Sequence, residues 1–486
     1  MTWRLALRAL ATRPVRTAVL ACGFGFGIAV MAALLGVGEV ILEQARSPAL
    51  SGGGDLVMSA ADGPVPSARF VLSRVLGNPR FASRIRAATP SRAASLYLMD
   101  GQGVVAVDAR GVIPSLEKAL GDPEVSSIAA WNDGPQDQAW ISPSFSDVLR
   151  AMDRFHPIPD VASRAESWAE WLYFNGRAGS AKFYLTFFVG PRRGTDRRAA
   201  GVRLQLDRDG HVETFSDEAE VAEAALLTAA PDLTFGKNRV RLIGTTYRIS
   251  LCLPRDGSRF SREGSAAVGE ITLDGSEARS LPPFTLHGGH GWLSGYTVPV
   301  PSGRLDGLLH VRDDAVDFAN GSGYHDHNWG FWGGVSWQWG QVAGDDLSLV
   351  YGRIRPPADA ADPERIPCVL IVTSLGGDVT LSRDVTIEEI GRTPDGAPQR
   401  IALKAKDGAV DLDISLDTTS AIRTRVGGGP FGARPSETDF FQLRVRAHVI
   451  GRVRERHVDF TSMGSAETFC GTRDVTPAIP ALPPRS

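Results

Sequence analysis

The chain is poor in the residues that most often announce a function. Of 486 residues only four are cysteine. Cys22 lies in an apolar N-terminal stretch, and Cys252, Cys368 and Cys470 are more than a hundred residues apart, which excludes the short spacings of zinc and thiol-redox motifs. At most one disulfide is open to the last three. Net charge is −3, and beyond the N-terminus no lysine and arginine stripe stands out, so no nucleic acid is expected as partner. Long apolar runs are absent after residue 38, which excludes a polytopic transporter. Disorder is excluded as well, because 43% of the residues are hydrophobic and only 22% charged.

What is present begins at the N-terminus. Residues 17–38, "TAVLACGFGFGIAVMAALLGVG", are 22 positions without a charge, enough to cross roughly 30 Å of hydrocarbon as a helix. Arg4, Arg8, Arg13 and Arg16 precede the run and Glu39 follows it. The pattern predicts a basic cytoplasmic segment over 1–16 and an uncleaved transmembrane helix over 17–38, the N-terminus inside. On that expectation the protein is single-pass in the inner membrane, with its main domains periplasmic or extracellular. A cleaved signal peptide is the alternative. "GFGFG" lacks the strand and βαβ unit of a dinucleotide loop, whereas Gly23 and Gly27 form a GxxxG face for another helix.

Residues 39–160 mix helical stretches, "SARFVLSRVL" and "SLEKALGD", with a hairpin in "SLYLMDGQGVVAVDA", and read as a small α+β spacer. Beyond them the period is two. In "GVRLQLDRDGHVETF", Val202, Leu204 and Leu206 alternate with Arg203, Gln205 and Asp207 before an Asp-Gly turn. "RIALKAKDGAVDLDISLD" repeats the form, and "FQLRVRAHVIGRV" sets Phe441, Leu443, Val445, Ala447 and Val449 against polar neighbours. Such runs at roughly ten-residue intervals predict a mainly β protein built from sandwiches or up-and-down barrels. Arg192, Arg193, Arg197 and Arg198 read as a basic, solvated hairpin tip, and 471–486 as a proline-rich tail.

One stretch concentrates chemistry. "GYHDHNWGFWGGVSWQWG", 323–340, holds four of the ten tryptophans with two histidines, an aspartate and an asparagine. On a strand Tyr324, Asp326 and Asn328 share one face, and His325, His327 and Trp329 the other. One face can line a pocket. The alternative is that the four indoles plug a barrel or a seam, the polar tips satisfying buried backbone groups. A metal site would need His325 and His327 to converge with His287 and His290 of "HGGH"; the expectation is no metal and no cofactor.

"EWLYFNGRAGSAKFYLTFFVG" (170–190), "GWLSGYTVPVPSGRLDGLLHV" (291–311) and the 323–340 motif, in that order, resemble the AttH-like tandem-lipocalin superfamily, which includes the carotenoid 1,2-hydratases (hydroxyneurosporene synthases). The resemblance covers roughly 165–470. It implies two consecutive lipocalin-like β-barrels, 165–280 and 283–470, the second carrying the motif around an apolar cavity. The N-terminal forty residues resemble FtsX/MacB-type permease subunits, which implies ABC transporter subunits as partners. The function expected is a membrane-anchored module binding a membrane lipid or isoprenoid. The alternative is a cofactor-independent hydratase adding water to an isoprenoid double bond, with Asp326, His327 and Trp329 catalytic: a proton donor, a proton carrier and a cation–π surface. Tyr324, His325, Asn328, Trp292, Trp337, Trp339 and Tyr351 are the expected ligand-lining residues. The chain departs from the hydratase pattern at Tyr351-Gly352-Arg353, where a carboxylate would follow the tyrosine by two positions; arginine is too weak an acid to replace it.

Overall fold

The computed structural model describes residues 67–471 except 78–81, 101–102, 122–128, 142, 195, 256–265, 276–279, 313, 345–346, 362–367, 375–378 and 426–437, together with scattered earlier positions. Among the described residues no helix is long and apolar enough to cross a membrane. Helical residues of the N-terminal run are described only in short pieces such as 22–26. The expected transmembrane helix over 17–38 is therefore not shown, and the single-pass inner-membrane localisation drawn from it is overturned. The tail 472–486, most of 1–66 and the side chain of Cys470 lie outside the described residues. Cys252 and Cys368 are free thiols.

The chain divides into two compact units, 1–68 with 72–142, and 69–71 with 143–486. Helix α1 (Ala68–Gly77) forms where "SARFVLSRVL" predicts it. In the first unit β1 (Ser91–Asp100) and β2 (Gly103–Val112) make the expected antiparallel hairpin, Asp100 opposite Gly103. Helix α2 (Pro114–Leu120) follows, with proline in its first turn and Gly121 closing it at φ 89°, a left-handed cap that costs glycine little.

The second unit is almost wholly β. Its first sheet has twelve strands: β3 (Trp168–Ala178), β4 (Ala181–Arg193), β5 (Arg197–Arg208), β6 (His211–Ala222), β7 (Leu233–Phe235), β8 (Asn238–Ile243), β9 (Thr246–Pro254), β10 (Ala266–Asp274), β11 (Leu281–His287), β12 (Leu293–Val311), β13 (Asp314–Asp317) and β14 (Gly321–Phe331). The main path is β6-β5-β4-β3-β14-β12-β10-β9-β8-β7, and a bridge from Phe215 on β6 to Arg255 past β9 draws the ends together into a nearly closed barrel. The Asp-Gly turn between β5 and β6 is as the sequence predicts: Asp209 and Gly210 both have positive φ, 53° and 85°, which matches the twist of a two-residue hairpin. Leu172, Phe174, Leu185, Phe187, Val202 and Leu204 fill the interior. Each such side chain contributes on the order of 1.5–3 kcal/mol by leaving water. The barrel interior is a packed core.

The second sheet has nine strands in the order β18-β17-β16-β15-β23-β22-β21-β20-β19 and forms a half-barrel. They are β15 (Ser336–Ala343), β16 (Leu347–Arg355), β17 (Cys368–Ser374), β18 (Val379–Ser382), β19 (Val385–Arg392), β20 (Pro398–Lys406), β21 (Val410–Arg425), β22 (Thr438–Val453) and β23 (Arg456–Gly471). On β22 the predicted apolar face, Phe441 to Val449, is buried. The mainly β class with two barrel-like sheets is as expected. The motif strand is not where it was expected: β14 pairs with β3 and β12 in the first sheet, because its Gly321–Phe331 backbone finds a ten-residue register against Trp168–Arg177. The second sheet begins only at Ser336.

A third cluster of buried residues, dominated by Trp168, Trp171, Trp292, Trp329, Trp332 and Trp339, packs in the seam where the two sheets meet.

Candidate functional site

Strand β14 presents two faces, as period-two alternation requires. Cross-strand pairing puts His325 beside Phe174 and His327 beside Leu172, facing the barrel core, while Asp326 lies beside Tyr173 and Asn328 beside Trp171, facing the seam.

The barrel face is completed by helix α3 (Phe145–Met152). Ser144 caps it reciprocally with Asp147, which fixes where the helix starts; Val148, Leu149 and Met152 are buried. The chain then delivers Asp153, Phe155 and His156. Asp153 is fully buried. It accepts from the Tyr247 hydroxyl at 2.6 Å and meets His325 Nε2 at 3.1 Å. The other His325 nitrogen, Nδ1, lies 3.0 Å from the Tyr173 carbonyl, and the ring stacks on Phe174 at 4.1 Å.

His327 is arranged in parallel. Its Nδ1 faces the Met152 carbonyl at 3.0 Å and its Nε2 faces Glu170 Oε1 at 2.9 Å. Two acceptors around one ring favour the doubly protonated imidazolium. Burial alone would lower His327, but the hydrogen bond and charge of Glu170, then the charge of Asp153, raise it. Burial alone would raise Glu170; the charge of His156, with hydrogen bonds from His156 and His327, holds it at about 2. His156 also donates its backbone N–H to both Glu170 oxygens, at 3.1 and 3.0 Å, and its ring stacks 4.4 Å from Trp329. That ring is 40% exposed and connects the cluster to solvent.

The seam face holds acids of the opposite kind. Asp326 accepts from Tyr324 at 2.9 Å and from Asn328 at 2.7 Å. Tyr324 and Tyr296 share a hydrogen bond of 2.7 Å, and Trp339 donates to Tyr296 at 2.9 Å. Burial pushes Asp326 well above the usual carboxylate range and nearby Glu467 adds to the rise, against the hydrogen bonds of Tyr324 and Asn328. Glu467 is raised by burial too, although Trp337 donates to it at 3.0 Å. Both therefore keep a proton more readily than a surface carboxyl does.

A solvent-open cleft runs along the same seam. Its enclosed space is about 40 Å³, with Asn175, Lys182, Pro301, Tyr324, Arg444 and Met463 among its lining residues, which is room for a small polar group and not for a whole drug-sized ligand. Tyr324 joins the cleft wall to Asp326 behind it.

The sequence-derived site residues thus separate into three places. Tyr324, Asp326, Asn328, Trp337 and Trp339 come together in the seam. His325 and His327 lie on the barrel side, so Asp326 and His327 back onto opposite faces of one strand and do not act on one group, while Trp329 packs in the seam cluster with its ring against His156 and His327. Trp329 lies over Gly295, where a Cβ would come within 1.9 Å of the indole. Trp292 belongs to the same buried seam cluster, and Tyr351 lies outside it. Trp292 is buried with its N–H on the Phe331 carbonyl. Tyr351 is in the core of the second sheet, packed against Gly340, with no hydrogen-bond partner for its hydroxyl. Arg353 donates to Gln338 at 2.6 Å and supplies no acid.

His287 and His290 are exposed and do not converge with His325 and His327. Among the described residues the one group that could offer a metal three ligand atoms is His156, Glu170 and His327, all within 4.8 Å of one another; hydrogen bonds within the group already account for these distances. Arg198 corrects the expected solvated tip: it is fully buried and donates to the carbonyls of Gly190 and His156. Sequence reasoning missed Asp153, His156, Glu170, Tyr247 and Glu467. Glu170 carried a usable signal, because "WAEWLYF" is apolar at every other position, and a lone carboxylate in such a strand must find a partner inside.

No protein-family model and no curated protein matches the chain. Among solved structures it is similar to one provisionally described as an AttH of Nitrosomonas europaea, at 15% identity and a TM-score of 0.44, covering 65% of this chain and 99% of that one. It is also similar to CghA bound to Sch210972, at 12% identity and a TM-score of 0.41, covering 67% and 96%. Likenesses at these values do not identify a function.

Proposed function

We propose that the protein binds a small amphiphilic molecule, a lipid or an isoprenoid, in the seam cleft. The observation that carries this reading is the cleft itself, polar at its rim with Tyr324, Pro301 and Met463 in its walls, while the barrel, the usual cavity of a small β-barrel, is filled. On this reading a lipid partner would sit in the seam and not in the barrel. Native mass spectrometry of the purified protein tests this, the expected result being a retained molecule that is lost when Ser322, exposed on the cleft wall, is replaced by tryptophan.

A second reading, hydration or cyclisation of an isoprenoid double bond, is favoured by Asp326. Alkene protonation needs a carboxyl group that still holds its proton near neutrality, in surroundings that can stabilise a cation. Asp326 is a candidate because burial favours its protonated form and Tyr173, Tyr324 and Trp339 surround it. Asp326→Asn nearly preserves shape and removes the acid. Turnover of acyclic isoprenoids by the native protein, lost in this variant with binding intact, establishes the enzyme; no turnover in the native protein leaves the binder.

A further inference from the structure

One part of the cleft is unlike the rest of the seam. Lys182 is 6% exposed, and among the described residues its one hydrogen-bonding side-chain partner is neutral: Nζ donates to Ser465 Oγ at 2.8 Å and sits 4.6 Å over the Tyr184 ring. Arg177 and Arg444 line the same cleft. Arg177 donates to Ser322 and to the Met463 carbonyl. Among the described residues no carboxylate lies within ion-pair distance of any of the three cations. Asp207, across from Lys182 on β5, is the nearest compensating charge acting on it, and one of its oxygens is taken by the Gly210 N–H. On the same wall Asn175 is 4% exposed; its Oδ1 accepts from Gln341 at 3.3 Å, and its Nδ2 has no partner.

Buried charge is ordinarily paired, and a buried amide donor ordinarily finds an acceptor. Three cations and an unused N–H facing one open space leave a deficit of acceptors and of negative charge. From this we propose that the seam cleft is a binding site for an oxyanion, a carboxylate or phosphate group, gripped by Lys182, Arg177 and Arg444 with Asn175 completing the donors. Resting on the reading of the cleft as a ligand site, the inference narrows the ligand to an amphiphile with an anionic head. Carboxylate and phosphate both suit the donors, since each accepts several charge-assisted hydrogen bonds at once.

The unliganded site is strained electrostatically in a way that a bound anion relieves. Burial, then repulsion from Arg444 and Arg177, brings Lys182 down to about 7, with Asp207 acting weakly the other way. Tyr184 and Ser465, the remaining groups facing it, are neutral. An anion favours the ammonium form, so binding takes up a proton when the pH is above about 7, and affinity falls as pH rises from 6 to 8.5.

Isothermal titration at low salt with dodecanoate, dodecyl phosphate, dodecanol and inorganic phosphate tests the proposal. The two anionic amphiphiles are expected to bind roughly tenfold or more tighter than dodecanol, weaken with pH, and lose the preference in Lys182→Met. Arg444→Gln, at a half-buried position, loses part of it and guards against a folding defect in the first variant. Inorganic phosphate separates the sources: binding that needs the tail assigns the head to a lipid-like molecule, and Lys182-dependent binding of phosphate alone keeps the oxyanion site while overturning the amphiphile. Equal binding of dodecanol and dodecanoate overturns the oxyanion and leaves the ligand cleft standing. No binding of any probe overturns both.

Discussion

On the barrel side of β14, Glu170 lies between two imidazole rings and is held at about 2; on the seam side, Asp326 lies among phenols and an amide and is pushed well above the usual range. Both carboxyl groups are almost completely buried, and the desolvation penalty on the charged form is large in each case. The difference lies in the partners. Imidazole can become a cation and stay buried with its acid, whereas tyrosine and asparagine offer only dipoles. One strand thereby carries an ionised cluster on one face and a proton-holding one on the other.

The sharpest way to break this comparison is to neutralise each acid in turn. Glu170→Gln removes the carboxylate that chiefly raises His327 and leaves Asp153, 3.8 Å from the His327 Nδ1, as the remaining carboxylate in the cluster; it is expected to destabilise the fold by about 3–5 kcal/mol at pH 7. Asp326→Asn exchanges a carboxyl group whose burial favours the protonated form for an amide of the same shape, and urea unfolding should show a change below ~1 kcal/mol. Equal losses would falsify the assignment of opposite states.

The pH dependence of stability sharpens it. Glu170 has a folded value of about 2 against an ordinary 4.5, so its contribution is present above pH 4.5 and is lost as pH falls towards 2, on the order of 3 kcal/mol in all. His327 is raised above its ordinary 6.5, so its contribution is present below pH 6.5 and is lost as pH rises through the folded value. Unfolding free energy should fall at both ends. In Glu170→Gln the acid limb should flatten, and an unchanged acid limb would remove Glu170 from the account.

The sequence made the strands and the alternation of β14 legible because period-two burial is written locally. The Asp-Gly hairpin and the apolar face of β22 were readable for the same reason. The partner of β14 was not, because pairing with Trp168–Arg177 is a contact across some 150 positions. The motif was accordingly expected in the second barrel, and Asp326 and His327 in one site. Glu170 was quoted in a motif and passed over, and Asp153 depends on where one capped helix ends. The hydrophobic N-terminal run was a strong composition signal, yet length and apolarity of a continuous helix decide a span, and none is found among the described residues.

Smaller effects bear on the margins of the two faces. Trp329→Phe keeps an aromatic face against His156 but thins the packing over Gly295, and thermal melts should show a loss of about 1–2 kcal/mol. Tyr351→Phe removes a buried hydroxyl that has no partner, and should change stability by less than ~0.5 kcal/mol or raise it slightly. A large loss there would show that Tyr351 belongs to a polar network after all.

The contact between Gly295 and Trp329 reaches beyond packing. A methyl group at 295 would meet the indole at 1.9 Å, so alanine there is tolerable only where position 329 carries a smaller side chain. The two positions are linked in a fixed order: position 329 can lose bulk first, as in Trp329→Phe, and position 295 can gain a side chain only afterwards, so the sequence of the two changes decides whether the intermediate folds.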